Sequence, residues 1–380
     1  MKTNNPNKKQ KVYVGMSGGV DSSVSAALLK DQGFEVIGVF IKVWQPDFLP
    51  CNWKEERRDA MRVAAHLNIP LITLDLEKEY KKEVVDYMIR EYKEGRTPNP
   101  DVMCNRYVKF GGFFDWAMKQ GADFVATGHY ARIDGHLSRL IDGHLSQPSQ
   151  QNIFLLKGRD DNKDQSYFLW TLTKEKLSKT LFPVGDIPKP EVRVLAKKYK
   201  LPNAGKKDSQ GLCFVGKIDM KDFLKHYIDE KPGDVLNEAR EVIGEHEGAL
   251  FYTLGERHGF TITKKTSKDE PYFVISKDNA RNTLTVSSNK ININSDEQSE
   301  HIKKQDCLIK DNNWIVDTVD NNKIYKARVR YRGTLHNVKI NSYSNNQARV
   351  HFLDSKDILS SGQSIVVYDE DICVGGGTIE

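Results

Sequence analysis

The chain has no apolar run near the ~20 residues that a membrane-spanning helix requires, so no membrane segment is expected. Its opening, MKTNNPNKKQK, holds neither a hydrophobic stretch nor an arginine-rich amphipathic pattern, and reads as a loose start rather than a targeting signal. Cysteine is sparse. The five thiols, Cys51, Cys104, Cys213, Cys307 and Cys373, are an odd number at wide spacings with no CxxC pair. That argues against a secreted disulfide frame and against a zinc site, so no metal ligands are assigned and a reducing cytoplasm is expected. A Walker lysine is missing too, because the glycine-rich turn near the N-terminus does not continue into GxxxxGK[ST]. Nor is there a strong charge imbalance, since 57 Lys and Arg face 52 Asp and Glu.

What is present begins with VYVGMSGGVDSSVSAALLKDQG, residues 12–33. Val12, Val14 and Met16 read as a short buried strand, and Val24, Ala27 and Leu28 as one face of a helix that Gly33 ends. Between them, Ser17, Gly18, Gly19, Val20, Asp21, Ser22 and Ser23 form a tight polar loop at the helix mouth. Strand, glycine loop and helix together aim backbone N–H groups and a helix dipole at an anion. Asp21 beside a phosphate implies Mg²⁺ between the two. The plainer alternative is an ordinary βα turn rich in Gly and Ser.

At 380 residues the chain is expected to form two or three domains. The first part alternates strands and helices. Glu35–Ile41, Pro70–Leu76 and Asp123–Gly128 are the further strands, and Lys54–Asn68, Glu77–Gly95 and Val108–Gln120 the helices. This predicts an α/β fold with a doubly wound parallel sheet, whose ligands sit beyond the carboxyl ends of the strands. DGHLS at 134–138 recurs at 142–146 and reads as a hairpin or insertion; its His136 and His144 lack the carboxylate or cysteine neighbours of a metal site. From Pro232 onward short alternating segments are split by Asn-, Gly- and Asp-rich turns, the pattern of small β domains. Boundaries are placed near 215 and 286, giving a catalytic domain over 1–215, a small central β-rich domain over 216–285 and a C-terminal β-barrel over 286–380.

Two further stretches carry chemistry. In TPNPDVMCNR (97–106) two prolines stiffen a loop, and Cys104 lies near the predicted start of the 108–120 helix with Arg106 and Lys109 close by, a setting that favours thiolate. Asp101 sits about a turn before it, placed to pass a proton. An inert small hydrophobe at Cys104 is the alternative. Cys213 lies in another cation-rich loop with Lys206, Lys207 and Lys217. Cys51, Cys307 and Cys373 read as structural. Later, IYKARVRYR (324–332) alternates strictly, so Lys326, Arg328, Arg330 and Arg332 share one face and Tyr325, Ala327, Val329 and Tyr331 the other. Seven Lys and Arg and no acid occur between Lys323 and Phe352, which favours a nucleic-acid backbone over a merely solvated barrel face.

SGGVDSS resembles the loop of the PP-loop ATP pyrophosphatases, which implies ATP-dependent adenylation. Taken with GRTPNPDVMCN, ATGHYAR, NKDQSYFL, FPVGDIPKPEVR, KKDSQGLCF, GEHEGALFYTLGERHG, VRYRG, SGQS and CVGGGTIE, nearly the whole chain is similar to the tRNA-specific 2-thiouridylases. The resemblance implies transfer of sulfur to C2 of the wobble uridine, with ATP consumed to AMP and pyrophosphate. It implies an ATP site at residues 15–22 with Ile41 and Gly128. Asn99, Pro100 and Asp101 would meet the target base, Cys104 would be the nucleophile and Cys213 the persulfide carrier. His129, Lys163, Asp164, Gln165, Arg330, Tyr331 and Gln363 would touch tRNA at its anticodon stem-loop. A persulfide sulfur-carrier protein or cysteine desulfurase, a monomeric state and a cytoplasmic location are the expected company. Ile41 departs from the Met of many relatives, and TLGERHG from their TLGQRKG, so substrate contacts differ there. The rival readings are another PP-loop enzyme that uses an amine or ammonia, which needs neither cysteine; an RNA-binding protein with a vestigial loop; and a small-molecule ligase, which leaves the basic strand unexplained.

Overall fold

The computed structural model describes residues 9–49, 53–134, 153–208, 219–229, 231–263, 270–288, 306–344, 346–354 and 358–380. Cys213, Cys51, His136 and His144 lie outside these residues. Among the described residues no helix is long and apolar enough to cross a membrane.

The first domain is built on β1 (Lys11–Gly15), β2 (Glu35–Lys42), β3 (Leu71–Asp75) and β4 (Phe124–Ala126). The hairpin strands β5 (Ala131–Asp134) and β6 (Phe154–Lys157) come next, then β7 (Thr180–Leu181). Five of these strands form a parallel sheet in the order β3-β2-β1-β4-β7. Alternate residues of β1 serve opposite faces, as a strand covered on both sides requires. Val12 and Val14 pack with helix α1 (Val20–Asp31) and with Val192 and Ala196, whereas Tyr13 joins Tyr80, Phe110 and Phe113 on the other face. β3 departs from its apolar sequence: it is the edge strand, and Ile72 stays 37% exposed. The chain leaves β1 toward β2 on one side while β4 lies on the other, so a crevice opens between the ends of β1 and β4.

Helix α2 (Trp53–His66) lies close to its expected span. The next helical run differs. Instead of beginning at Val108, helix starts at Pro100 and continues as Pro100–Met103, the wider π-helical Cys104–Phe113 and Phe114–Lys119. Asn99 supplies the start, accepting a hydrogen bond from the Val102 N–H at 3.3 Å with proline in the first turn behind it. Cys104 therefore sits one turn inside a capped helix rather than in a loop before one.

A mixed five-stranded sheet forms the middle of the chain from β8 (Gly233–Leu236), β9 (Val242–His246), β10 (Thr261–Ile262), β11 (Phe273–Asp278) and β12 (Thr283–Ser287). β12 and β8 run parallel and the other pairs antiparallel. The C-terminal strands are β13 (Asp306–Trp314), β14 (Tyr325–Arg328), β15 (His336–Ser344), β16 (Gln347–Phe352), β17 (Ser364–Asp369) and β18 (Ile372–Ile379). They close into an antiparallel barrel because β13 pairs with both β16 and β18. Through β6, which pairs with β18, the hairpin of the first domain extends the barrel's sheet.

Candidate active site

At the end of β1 the Met16 N–H reaches the Val39 carbonyl, and the chain then turns through the serine-rich loop into α1. The loop's hydroxyls hold it from within: Ser23 Oγ donates to the Gly19 carbonyl at 2.8 Å, and Ser22 Oγ to the same oxygen at 3.2 Å. From outside, Asn203 Nδ2 donates to the Gly18 carbonyl at 3.0 Å and to Ser23 Oγ at 2.9 Å. Gly128, beyond β4, presses directly on this turn. A Cβ there would stand 2.7 Å from the Ser22 nitrogen, so any larger residue pushes the helix mouth away. Ile41 is buried at the end of β2.

Asp21 lies in the first turn of α1, where the helix dipole favours its negative charge. Its Oδ1 accepts from the Tyr130 hydroxyl at 2.8 Å and from Lys189 Nζ at 2.6 Å. Lys189 is only 8% exposed and also pairs with Asp208 at 2.8 Å, which Lys163 contacts at 2.7 Å. Burial opposes ionisation of Asp208, but the ammonium groups of Lys163 and Lys189 outweigh it and hold the carboxyl well below its usual range. Tyr130 is driven up, by burial first and then by Asp21, and remains a phenol. The result is a caged cation beside the serine-rich turn. Among the described residues no group of three or more His, Cys, Asp or Glu could hold a metal ion.

Sequence reading misses Tyr130, Lys189, Asn203 and Asp208 as parts of this site. One signal is there to be used: Lys189 opens the helix Lys189–Lys198, where a cation meets the wrong end of the dipole and calls for carboxylates from elsewhere. Asn203 reaches the loop across 185 residues, which no local pattern reveals.

The helix that carries Cys104 packs against the same crevice. Phe113 lies 3.4 Å from the Cβ position of Gly15, and Phe110 packs on the His129 ring at 5.9 Å. Cys104 itself is fully buried. His129 is buried too, and its Nδ1 lies 2.7 Å from Thr127 Oγ1 and its Nε2 3.4 Å from Lys109 Nζ. An ammonium can only donate, so Nε2 accepts and the ring proton is on Nδ1, donated to Thr127. Burial, then the Lys109 charge, keeps this imidazole neutral by lowering its pKa well below the ordinary value.

The remaining expected contacts are spread over the domain junctions. Lys163 is engaged by Asp208, and Gln165 Oε1 accepts from the Tyr130 N–H at 2.9 Å, so both brace the residues around Asp21. Asp164 is buried, accepts from the Gly158 and Ser166 N–H groups, and faces Arg328 at 3.7 Å. Here the alternating-strand reading needs correction. β14 ends at Arg328, which is buried rather than on a cationic outer face, because Asp164 and the Tyr368 ring take its charge inside. Arg330 Nη2 donates to the Leu254 carbonyl of the middle domain at 2.6 Å, and Tyr331 packs on Phe168 with ring centres 4.6 Å apart. Lys326 is exposed. Gln363 Nε2 donates to the Thr97 carbonyl at 2.8 Å, just before Asn99, Pro100 and Asp101. Cys307 and Cys373 are buried, and burial raises both thiols, Cys307 to about 12, as inert core groups require.

A doubly wound sheet with its glycine loop at the switch point defines the class: a PP-loop α/β enzyme that uses ATP. Residues 10–217, 221–288 and 304–379 match, in turn, the families described as tRNA methyl transferase HUP domain, tRNA methyl transferase PRC-barrel domain and aminomethyltransferase beta-barrel domain. The chain is 42% identical over 389 residues to the tRNA-specific 2-thiouridylase MnmA of Listeria innocua, a match covering 100% of this chain and 96% of that protein. With the protein of the same name from Nitrosomonas europaea it shares 40% over 375 residues, 98% of each chain. Of solved structures, the U34-tRNA thiolase NcsA from Methanococcus maripaludis overlaps 58% of this chain and 67% of its own, at 18% identity and a TM-score of 0.33. This chain belongs to the tRNA-specific 2-thiouridylase family.

Proposed function

We infer that this chain replaces O2 of the wobble uridine in tRNA with sulfur, consuming ATP to AMP and pyrophosphate. The observation that carries the reading is the convergence on one crevice of the Gly15–Ser23 turn, with its caged Lys189, and the helix bearing Cys104. A uridine carbonyl oxygen is a poor leaving group. It first attacks the α-phosphorus, expelling pyrophosphate, and later departs as part of AMP. The turn's N–H groups and Lys189 stabilise the pyrophosphate as its charge develops. Mg²⁺ arriving on the nucleotide would neutralise phosphate charge, with the Asp21 carboxylate as this chain's ligand to it.

Sulfur reaches C2 from a persulfide on Cys213. In one route Cys104 thiolate attacks that persulfide and frees sulfide, which adds to C2. In the other the terminal sulfur adds to C2 and Cys104 then resolves the linkage. Both end in a Cys104–Cys213 disulfide, which two electrons from cytoplasmic thiols reduce. Asn99, Pro100 and Asp101 face the target base, with Asp101 handling the proton. Because Cys104 is buried, RNA entry has to open its surroundings before chemistry. A persulfide carrier or cysteine desulfurase supplies the sulfur, and the chain acts as a monomer.

The test is nucleoside mass spectrometry on unmodified tRNA incubated with the full chain, ATP, Mg²⁺ and a cysteine desulfurase with cysteine, which passes persulfide sulfur to Cys213. The expected product is 2-thiouridine, lost in Cys104→Ser and Cys213→Ser variants. Full formation of 2-thiouridine in both variants would remove the persulfide relay from the reading, and ATP consumed to AMP with no 2-thiouridine formed would return the chain to the amine- or ammonia-using PP-loop enzymes.

A further inference from the structure

Thr97 bonds outside its own domain with every polar group it has. Its N–H donates to the Ser361 carbonyl at 2.8 Å, and its carbonyl accepts from Gln363 Nε2 at 2.8 Å, both on the barrel's approach to β17. Its hydroxyl meets Thr253 Oγ1 of the middle domain at 3.1 Å. Gln363 also reaches the Pro98 carbonyl at 3.4 Å. The fit is close: Gly362 has φ +89°, and a Cβ on it would stand 2.9 Å from the Thr97 carbonyl carbon and oxygen. All three domains therefore meet on one residue, itself only 7% exposed.

The residues after Thr97 have little slack. Pro98 and Pro100 fix two backbone dihedrals, and Asn99 between them caps the helix that holds Cys104. A shift at Thr97 is passed to Asn99 and to the first turn of that helix rather than absorbed on the way.

We propose that Thr97 is a positioning residue through which the barrel and the middle domain set the pose of the Asn99–Asp101 loop and of Cys104. Gln363 and Thr253 are its two clamps. The proposal rests on the reading that Asn99, Pro100 and Asp101 face the target base. It gives Gln363 a task within the protein, and an RNA contact by the same amide would compete with it.

The test uses the full chain carrying Gln363→Ala, Gly362→Ala or Thr253→Val, the last removing a hydroxyl with little change of shape. Thiolation of a tRNA transcript gives kcat and KM. Labelling of Cys104 by N-ethylmaleimide without tRNA, resolved by peptide mass spectrometry, reports the helix directly. The expected result is a kcat lower by about tenfold, in the range small misplacements cause, with KM for tRNA little changed and Cys104 labelled several-fold faster. Thr253→Ser, which keeps the hydroxyl, restores both. A raised KM at normal kcat with unchanged labelling would make Gln363 an RNA contact only and overturn the proposal, as would no change in either readout. Faster labelling at normal kcat keeps the clamp and instead sinks the base-facing reading of Asn99–Asp101.

Discussion

The turn Gly15–Ser23 and the stretch Tyr325–Arg332 both carry the sequence signature of an anion site, but the structure treats them differently. The turn's donors are backbone groups whose direction is set by a strand end and a helix start within nine residues, with Asn203 and Gly128 bracing them from outside. The basic stretch depends on where long side chains go, and distant partners decide that. Arg328 turns inward to Asp164 and Arg330 reaches Leu254, while Lys323, just before the stretch, pairs with Asp369 at 2.6 Å. Backbone anion sites are local properties, whereas side-chain charge belongs to the tertiary fold.

Lys189 offers the sharpest way to break this contrast, because it is a long cation placed at the turn from afar. Lys189→Met removes the ammonium from Asp21 and Asp208 and is expected to lower tRNA-dependent pyrophosphate release about 10²–10³-fold. A thermal melt on the same variant separates loss of chemistry from loss of fold. Normal turnover in a folded variant would mean that the turn works through its backbone alone.

Arg328 tests the other side. If its charge is internal, Arg328→Met leaves Asp164 buried without its counter-ion and costs about 3–5 kcal/mol in urea unfolding. Adding Asp164→Asn, which removes the charge but keeps an oxygen for the Gly158 and Ser166 N–H groups, should recover most of that loss. Were Arg328 a phosphate contact instead, stability would hold and tRNA binding would fall with a weaker salt dependence.

Arg330 is the intermediate case. Arg330→Ala deletes one charge-assisted bond between the barrel and the middle domain, and about 1.5–3 kcal/mol is expected. Limited proteolysis should cut this variant more readily than the wild-type chain. Unaltered unfolding with weaker tRNA binding would put Arg330 back on the RNA.

These cases mark how much the sequence makes legible. Alternating apolar runs announce the parallel sheet, and SGGVDSS announces its switch-point loop. The helix start at Pro100 is equally readable, since Asn99-Pro100 is a cap followed by proline, but the apolar face beginning at Val108 draws the expected boundary eight residues late. Arg328 is misassigned because strict alternation assumes a strand that continues, and β14 stops there. Tyr130 and Asn203 are out of reach, because what each contributes depends on a partner more than 100 residues away.

His129 sharpens the comparison by the smallest effect, since it follows Gly128, which presses on the turn, but is expected from sequence to touch RNA. An imidazole serving phosphate would be held protonated; this one is kept neutral by burial and by Lys109. The sign comes from proton linkage. Its folded pKa is depressed, so the unfolded chain takes up a proton near its ordinary 6.5 while the folded one does not. Stability is then flat above that pH and declines as pH falls below it, with a limiting slope of about 1.4 kcal/mol per pH unit for this residue. His246, also lowered by burial, slopes the same way, so the informative quantity is the difference from a His129→Gln variant. Asp208 does not interfere, because a depressed carboxyl begins to lose its contribution only near 3.8 and below. Urea midpoints at pH 7.5, 6.5 and 5.5 (values chosen about the ordinary histidine pKa) should converge as the pH falls. A wild-type chain that instead gains stability relative to the variant on acidification would show a charged His129, and with it a cationic surface reaching from the barrel to the mouth of α1.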